Sequence, residues 1–215
     1  MTLFSRLKSA IAADWTAFTR HEFVARLGDG SLPLATFQDY LVQDYRFLIH
    51  FARAYALAAY KSRDLASVRH SSDGLRVILG ETSMHVGFAA RWGVTQSELE
   101  SASEKLGTVA YTRYVLDTGL AGDLLELNVA LAPCVIGYAE IGKNLEPELG
   151  RIVNHPYREW IVEYAGEEFQ TAARAAEEHL DYLAGDSISD RRFSQLVDIF
   201  ATATRLEADF WQQAK

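Results

Sequence analysis

The chain predicts an all-α bundle folded as one domain. Apolar residues recur at helical spacing through most of its length, only 4 prolines interrupt 215 residues, and no segment keeps strand alternation for more than a few positions. That length supplies one sizeable core without demanding a second, so a single domain over 1–215 is expected.

A first helix is predicted over 2–19, followed by a turn at Gly28-Asp29-Gly30. Ser31 and Pro33 then start a long helix reaching about 62, because a serine caps orphan amides and proline is tolerated in a first turn. Further helices are predicted over 64–92, 96–104, 108–120, 122–145, 155–184 and 188–213, several bounded by Gly, Asn, Asp or Ser. The least helical stretch, 146–156, reads as a structured connection.

Composition narrows the function. Hydrophobic residues are 49% and charged residues 23%, ordinary soluble usage. With 21 basic against 29 acidic residues the net charge is −8, and no basic run exceeds Arg191-Arg192, which argues against nucleic acid. Apolar runs fall short of the roughly 18 residues of a spanning helix, and the N-terminus lacks a secretory core, so no membrane and a cytoplasmic location are expected. One cysteine precludes an intramolecular disulfide.

Two acids interrupt stripes that packing alone would make apolar. Asp44 falls among Phe37, Tyr40, Leu41, Phe47, Leu48 and Phe51; Glu207 falls among Phe193, Leu196, Val197, Phe200, Thr204, Phe210 and Trp211. Burying a carboxylate costs several kcal/mol unless it is bonded, paired or neutralised. Cys134 shares a stripe with Leu124, Leu127, Leu131 and Tyr138, directly after Pro133, whose ring should kink the helix or free a carbonyl. Free cysteine is usually inert packing. Inward acids and the flanking Tyr111, Tyr114, Tyr138, Tyr157 and Tyr164 make it instead a candidate nucleophile, in a pocket suited to a flat, nitrogen-rich ring.

These segments together resemble the TenA family of thiaminase II enzymes, which share the heme-oxygenase-like helical fold. The resemblance spans nearly the whole chain and rests on five segments in order: Gly28 to Pro33; Phe37, Tyr40 and Leu41 to Asp44; Pro133-Cys134 leading to Tyr138 and Gly142; His155-Pro156-Tyr157 with Trp160 and Tyr164; and Glu207 with Phe210-Trp211. It implies a thiamin-salvage aminopyrimidine aminohydrolase that needs no cofactor or metal. Cys134 resembles the family nucleophile, Glu207 the catalytic acid/base, Asp44 the acid holding the aminopyrimidine, Tyr111 and Tyr164 lining phenols and Tyr138 the stacking ring. Many members carry tyrosine where this chain has Phe47. The resemblance also implies a homotetramer, for which the Ala54 to Tyr60 run offers an apolar face.

Two rivals stand beside this reading. Glu81 and His85 share a helix face at i, i+4, a geometry an iron-dependent oxygenase could use, although a solvated or core-edge histidine is the simpler expectation and His21 has no independent support as a haem ligand. Alternatively, the pocket binds a pyrimidine without turnover, in a regulatory protein. His50, His70 and His179 are expected to pack at the surface.

Overall fold

The computed structural model describes residues 1–214, and among these there is no strand. The helices are α1 (Leu3–Ala10), α2 (Ala12–Thr19), α3 (Glu22–Gly28), α4 (Leu34–Lys61), α5 (Leu65–Arg91), α6 (Gln96–Ser101), α7 (Leu106–Ala121), α8 (Leu124–Leu145), α9 (Arg158–Ala165), α10 (Glu167–Ala184) and α11 (Asp190–Gln212), with a 3-10 turn at Glu146–Gly150.

α8 is the axis of the bundle. Its sequence is apolar on almost every face, and it packs against α4, α7, α9, α10 and α11 at once. Leu127, Val129, Ala130 and Ile141 are completely buried; a buried Leu or Ile side chain contributes about 1.5–3 kcal/mol. The axis is anchored at its start by a reciprocal capping box between Asp123 and Glu126, and Arg192 of α11 pairs with both acids. Pro133 does not end it: the helix continues from Leu124 to Leu145 through the proline. At Gly142 a Cβ would lie 2.5 Å from the backbone of Tyr164, so only glycine lets α9 close on the axis. That approach sets Trp160 and Tyr164 against Tyr138.

Several predicted boundaries move. The helix expected over 2–19 breaks at Ile11, whose φ of −121° is not helical, and α3 follows as a separate element capped by His21 Nδ1. The helix expected over 155–184 is two, because Gly166 is extended (ψ 153°) between α9 and α10. The 146–156 connection is structured: His155 Nε2 donates to the Gly28 carbonyl and Tyr157 Oη to that of Leu32, tying it to the turn before α4.

The Leu124–Gly150 segment is long and apolar enough to cross a membrane by composition, which the count of apolar runs did not foresee, but 78% of that window is buried inside the protein. A core helix gives the same signature. The Ala54 to Tyr60 run is not one open face either: Ala54, Tyr55 and Ala58 are core, while Ala56 and Tyr60 are exposed.

Candidate active site

α4 carries Asp44, α5 Glu81 and His85, α8 Cys134 and α11 Glu207, all turned into the main core. Asp44 is 3% exposed, Glu207 1% and His85 1%, so each must find partners within the chain. Tyr111 Oη of α7 donates to Glu207 Oε1 at 2.8 Å. Tyr40 Oη donates to Asp44 Oδ2 at 2.7 Å, and His85 Nε2 lies 2.8 Å from the same oxygen. Tyr164 Oη donates to Glu81 Oε1, and Trp160 Nε1 to Tyr40 Oη at 3.3 Å.

Each acid keeps one oxygen out of this network. Asp44 Oδ1 and Glu207 Oε2 make no hydrogen bond among the described residues, and neither is among the fully sealed atoms that lack a partner. Cys134 is half-buried, packs on the main core and lies within reach of the charges of Glu207, Glu81 and Asp44. These groups belong to one enclosed region of the core. Its aromatic surroundings include Phe47, whose ring centre is 4.8 Å from that of Tyr111, and Tyr138, 5.0 Å from Tyr164 and 5.2 Å from Trp211.

The electrostatics follow from burial. Burial pushes Glu207 up to about 8, against the Tyr111 hydrogen bond and with the charges of Asp44 and Glu81 adding to the rise. Glu81 is pushed up to about 7, by burial first and then by Asp44, while His85 and Tyr164 act the other way. For His85, burial favours the neutral ring, but the Asp44 hydrogen bond and the charges of Asp44 and Glu81 outweigh it and raise the pKa. Burial, then Glu207, Glu81 and Asp44, raise the Cys134 thiol well above its usual range. Tyr111, Tyr138 and Tyr164 are raised too, so they act as neutral hydroxyls. Burial thus favours the uncharged forms of both Cys134 and Glu207.

Cys134, Glu207, Asp44, Phe47, Tyr111, Tyr138 and Tyr164 all belong to the main core. Tyr114 and Tyr157 turn elsewhere, bonding the carbonyls of Ile199 and Leu32. The sequence reading undervalued Glu81 and His85. Far from solvated, His85 is sealed in the core, and both its ring nitrogens are engaged by Glu81 O and Asp44 rather than facing a shared metal position. The pair's i, i+4 spacing was visible; its partner on α4 was not. Of the histidines expected at the surface, His50 joins Glu104 and Arg113 in an ion cluster, and His179 is buried with its ring 3.9 Å from that of His70.

Residues 9–215 match the TENA/THI-4/PQQC family. A Halalkalibacterium halodurans protein named aminopyrimidine aminohydrolase is 39% identical over 202 residues, covering 93% of this chain and 89% of its own length. The crystal structure of a TenA family transcription regulator from Silicibacter sp. superposes with a TM-score of 0.93 at 39% identity, over 99% of this chain and 96% of that one. A Shewanella denitrificans domain of unknown function described as having a heme oxygenase-like fold, with a TM-score of 0.74 at 16% identity over 98% of this chain and 91% of its own, matches in fold alone. A family match across nearly the whole chain and a full-length relative well above 30% identity lead to one conclusion: this heme-oxygenase-like helical protein belongs to the TENA/THI-4/PQQC family.

Proposed function

We propose that this protein hydrolyses 4-amino-5-aminomethyl-2-methylpyrimidine to 4-amino-5-hydroxymethyl-2-methylpyrimidine and ammonia through Cys134, with thiamin as a second substrate. The hydrolase class rests on full-length relatives named aminopyrimidine aminohydrolase; the substrate and the cysteine mechanism are our reading. The observation that carries it is the Glu207 carboxyl, bonded by Tyr111 and pushed up to about 8 beside the Cys134 thiol.

Direct displacement at the methylene of an electron-poor ring is slow; addition of sulfur to a conjugated ring carbon is the way around it. As sulfur adds, Glu207 gives its proton to a ring nitrogen, which keeps negative charge from building on the ring. The enamine so formed expels the amine, which leaves as ammonia with the proton the thiol gave up. Water then adds its hydroxyl to the methylene and returns a proton to sulfur. The ring nitrogen returns its own to Glu207 as sulfur departs. Asp44 Oδ1 accepts from the amino side of the ring, and Tyr138 with Phe47 provides flat aromatic surface.

A thiol held this high is a poor nucleophile at rest. Sulfur therefore gives up its proton as it bonds to the ring carbon, in step with the transfer from Glu207 to the ring nitrogen. The test is to incubate pure protein with each compound and follow the hydroxymethyl product by chromatography. Product from the aminomethyl compound is expected; no product from either rejects the reading. The same reading takes the protein as a cytoplasmic homotetramer, which sedimentation tests for assembly: a mass near four times 24.0 kDa is expected, and a monomer rejects it.

A further inference from the structure

The hydrogen bonds around Asp44 fix where its protons lie. Trp160 Nε1–H can only donate, so Tyr40 Oη accepts from it at 3.3 Å and turns its own hydrogen onto Asp44 Oδ2. On the other side, the Glu81 backbone oxygen can only accept, so the His85 nitrogen 2.9 Å away, Nδ1, carries a hydrogen. In a neutral ring Nε2 would then present a lone pair. Yet Nε2 lies 2.8 Å from an Asp44 oxygen that already accepts from Tyr40, and two acceptors at that distance require a proton between them.

We propose that His85 is a positioning residue: it donates from both ring nitrogens, holds Asp44 as a carboxylate with Oδ2 fully engaged, and thereby presents Oδ1 as the fixed anionic acceptor for the amino group of the ligand. The inference rests on the proposed pyrimidine site only in its last clause. The titratable groups facing His85 are Tyr40 and Asp44 from α4, Glu81 from its own helix and Glu163 from α9. None of these is a cation, so the imidazolium is the positive charge of this wall. Without it, Asp44 would lose its ion-pair partner and Glu81 the charge that opposes its rise.

The first test needs no substrate. Nitrogen NMR of histidine-labelled wild-type protein, with His85 assigned by correlation to its backbone, should show both ring nitrogens protonated at pH 7. A bare nitrogen there overturns the proposal, whatever the enzyme acts on.

The second test is a double-mutant cycle using calorimetric binding of 4-amino-5-hydroxymethyl-2-methylpyrimidine to wild type, His85→Gln, Asp44→Asn and the double variant, each checked for folding by circular dichroism. His85→Gln should weaken binding about tenfold and Asp44→Asn more. The double variant should match Asp44→Asn within about twofold, since His85 acts through that carboxylate. If the two losses multiply, His85 does not work through Asp44 and the proposal fails. If wild type binds no pyrimidine at all, the functional reading fails while the nitrogen spectrum still decides the protonation of His85.

Discussion

Asp44 and Glu207 are the same kind of group in the same core, and their surroundings give them opposite character. Around Asp44, a tyrosine and an imidazole both converge on one oxygen. Around Glu207, among the described residues, the hydrogen-bond partner is one neutral phenol, and burial pushes its carboxyl up to about 8. The difference is one buried ring, His85. Environment, more than residue type, assigns roles to paired acids: in the reading proposed above, one is the anionic acceptor and the other the proton donor.

The largest change should come from the thiol. Cys134→Ser is expected to lower kcat by three orders of magnitude or more with an unchanged circular dichroism spectrum; a rate within about twofold of wild type eliminates covalent catalysis by Cys134.

Next comes the donor wall. Glu207→Gln should reduce kcat/KM on the order of a hundredfold or more and abolish the fall of the pH profile above about 8, where wild-type Glu207 loses its proton. The same change should stabilise the fold. A carboxyl raised from its ordinary 4.5 contributes stability below that value and loses it as pH rises through about 8, so the Tm gain of Glu207→Gln should be larger at pH 8 than at pH 5. A stability difference that does not grow with pH contradicts the neutral-acid assignment.

Removing the phenol sharpens the contrast. The Tyr111 hydrogen bond opposes the upward shift of Glu207, so Tyr111→Phe should move the alkaline limb to higher pH and slow turnover about tenfold, measured as kcat/KM across pH. A limb that moves down refutes the arrangement. Smallest is Phe47→Tyr: the ring already packs on Phe51, Tyr111 and Phe210, so an added hydroxyl should change the thiamin to aminomethylpyrimidine preference by about threefold without unfolding the protein. Loss of all activity there would mean that the ring's surroundings are sealed rather than open to ligand.

How far the sequence could be read depended on whether information was local. Asp44 and Glu207 stood out because each interrupts a stripe on its own helix, and a misplaced charge is visible without knowing what it touches. Cys134 and Tyr138 followed from the register of one helix. His85 did not, since its local neighbour Glu81 suggested a metal geometry while its decisive partner, Asp44, lies 41 residues away on α4. The breaks at Ile11 and Gly166 escaped for a related reason: helical spacing persists across them, and packing against α8 and α11 sets where the chain bends. At Pro133 the helix expected over 122–145 runs on, because tertiary contacts on all sides hold α8 helical through it.

The proposed chemistry turns on the charge state of one carboxyl, Glu207. Carbon NMR of glutamate-labelled protein, with Glu207 identified by the signal lost in Glu207→Gln, should show its carboxyl protonated at pH 6 and titrating near 8. A signal already at the carboxylate position at pH 6 would contradict it.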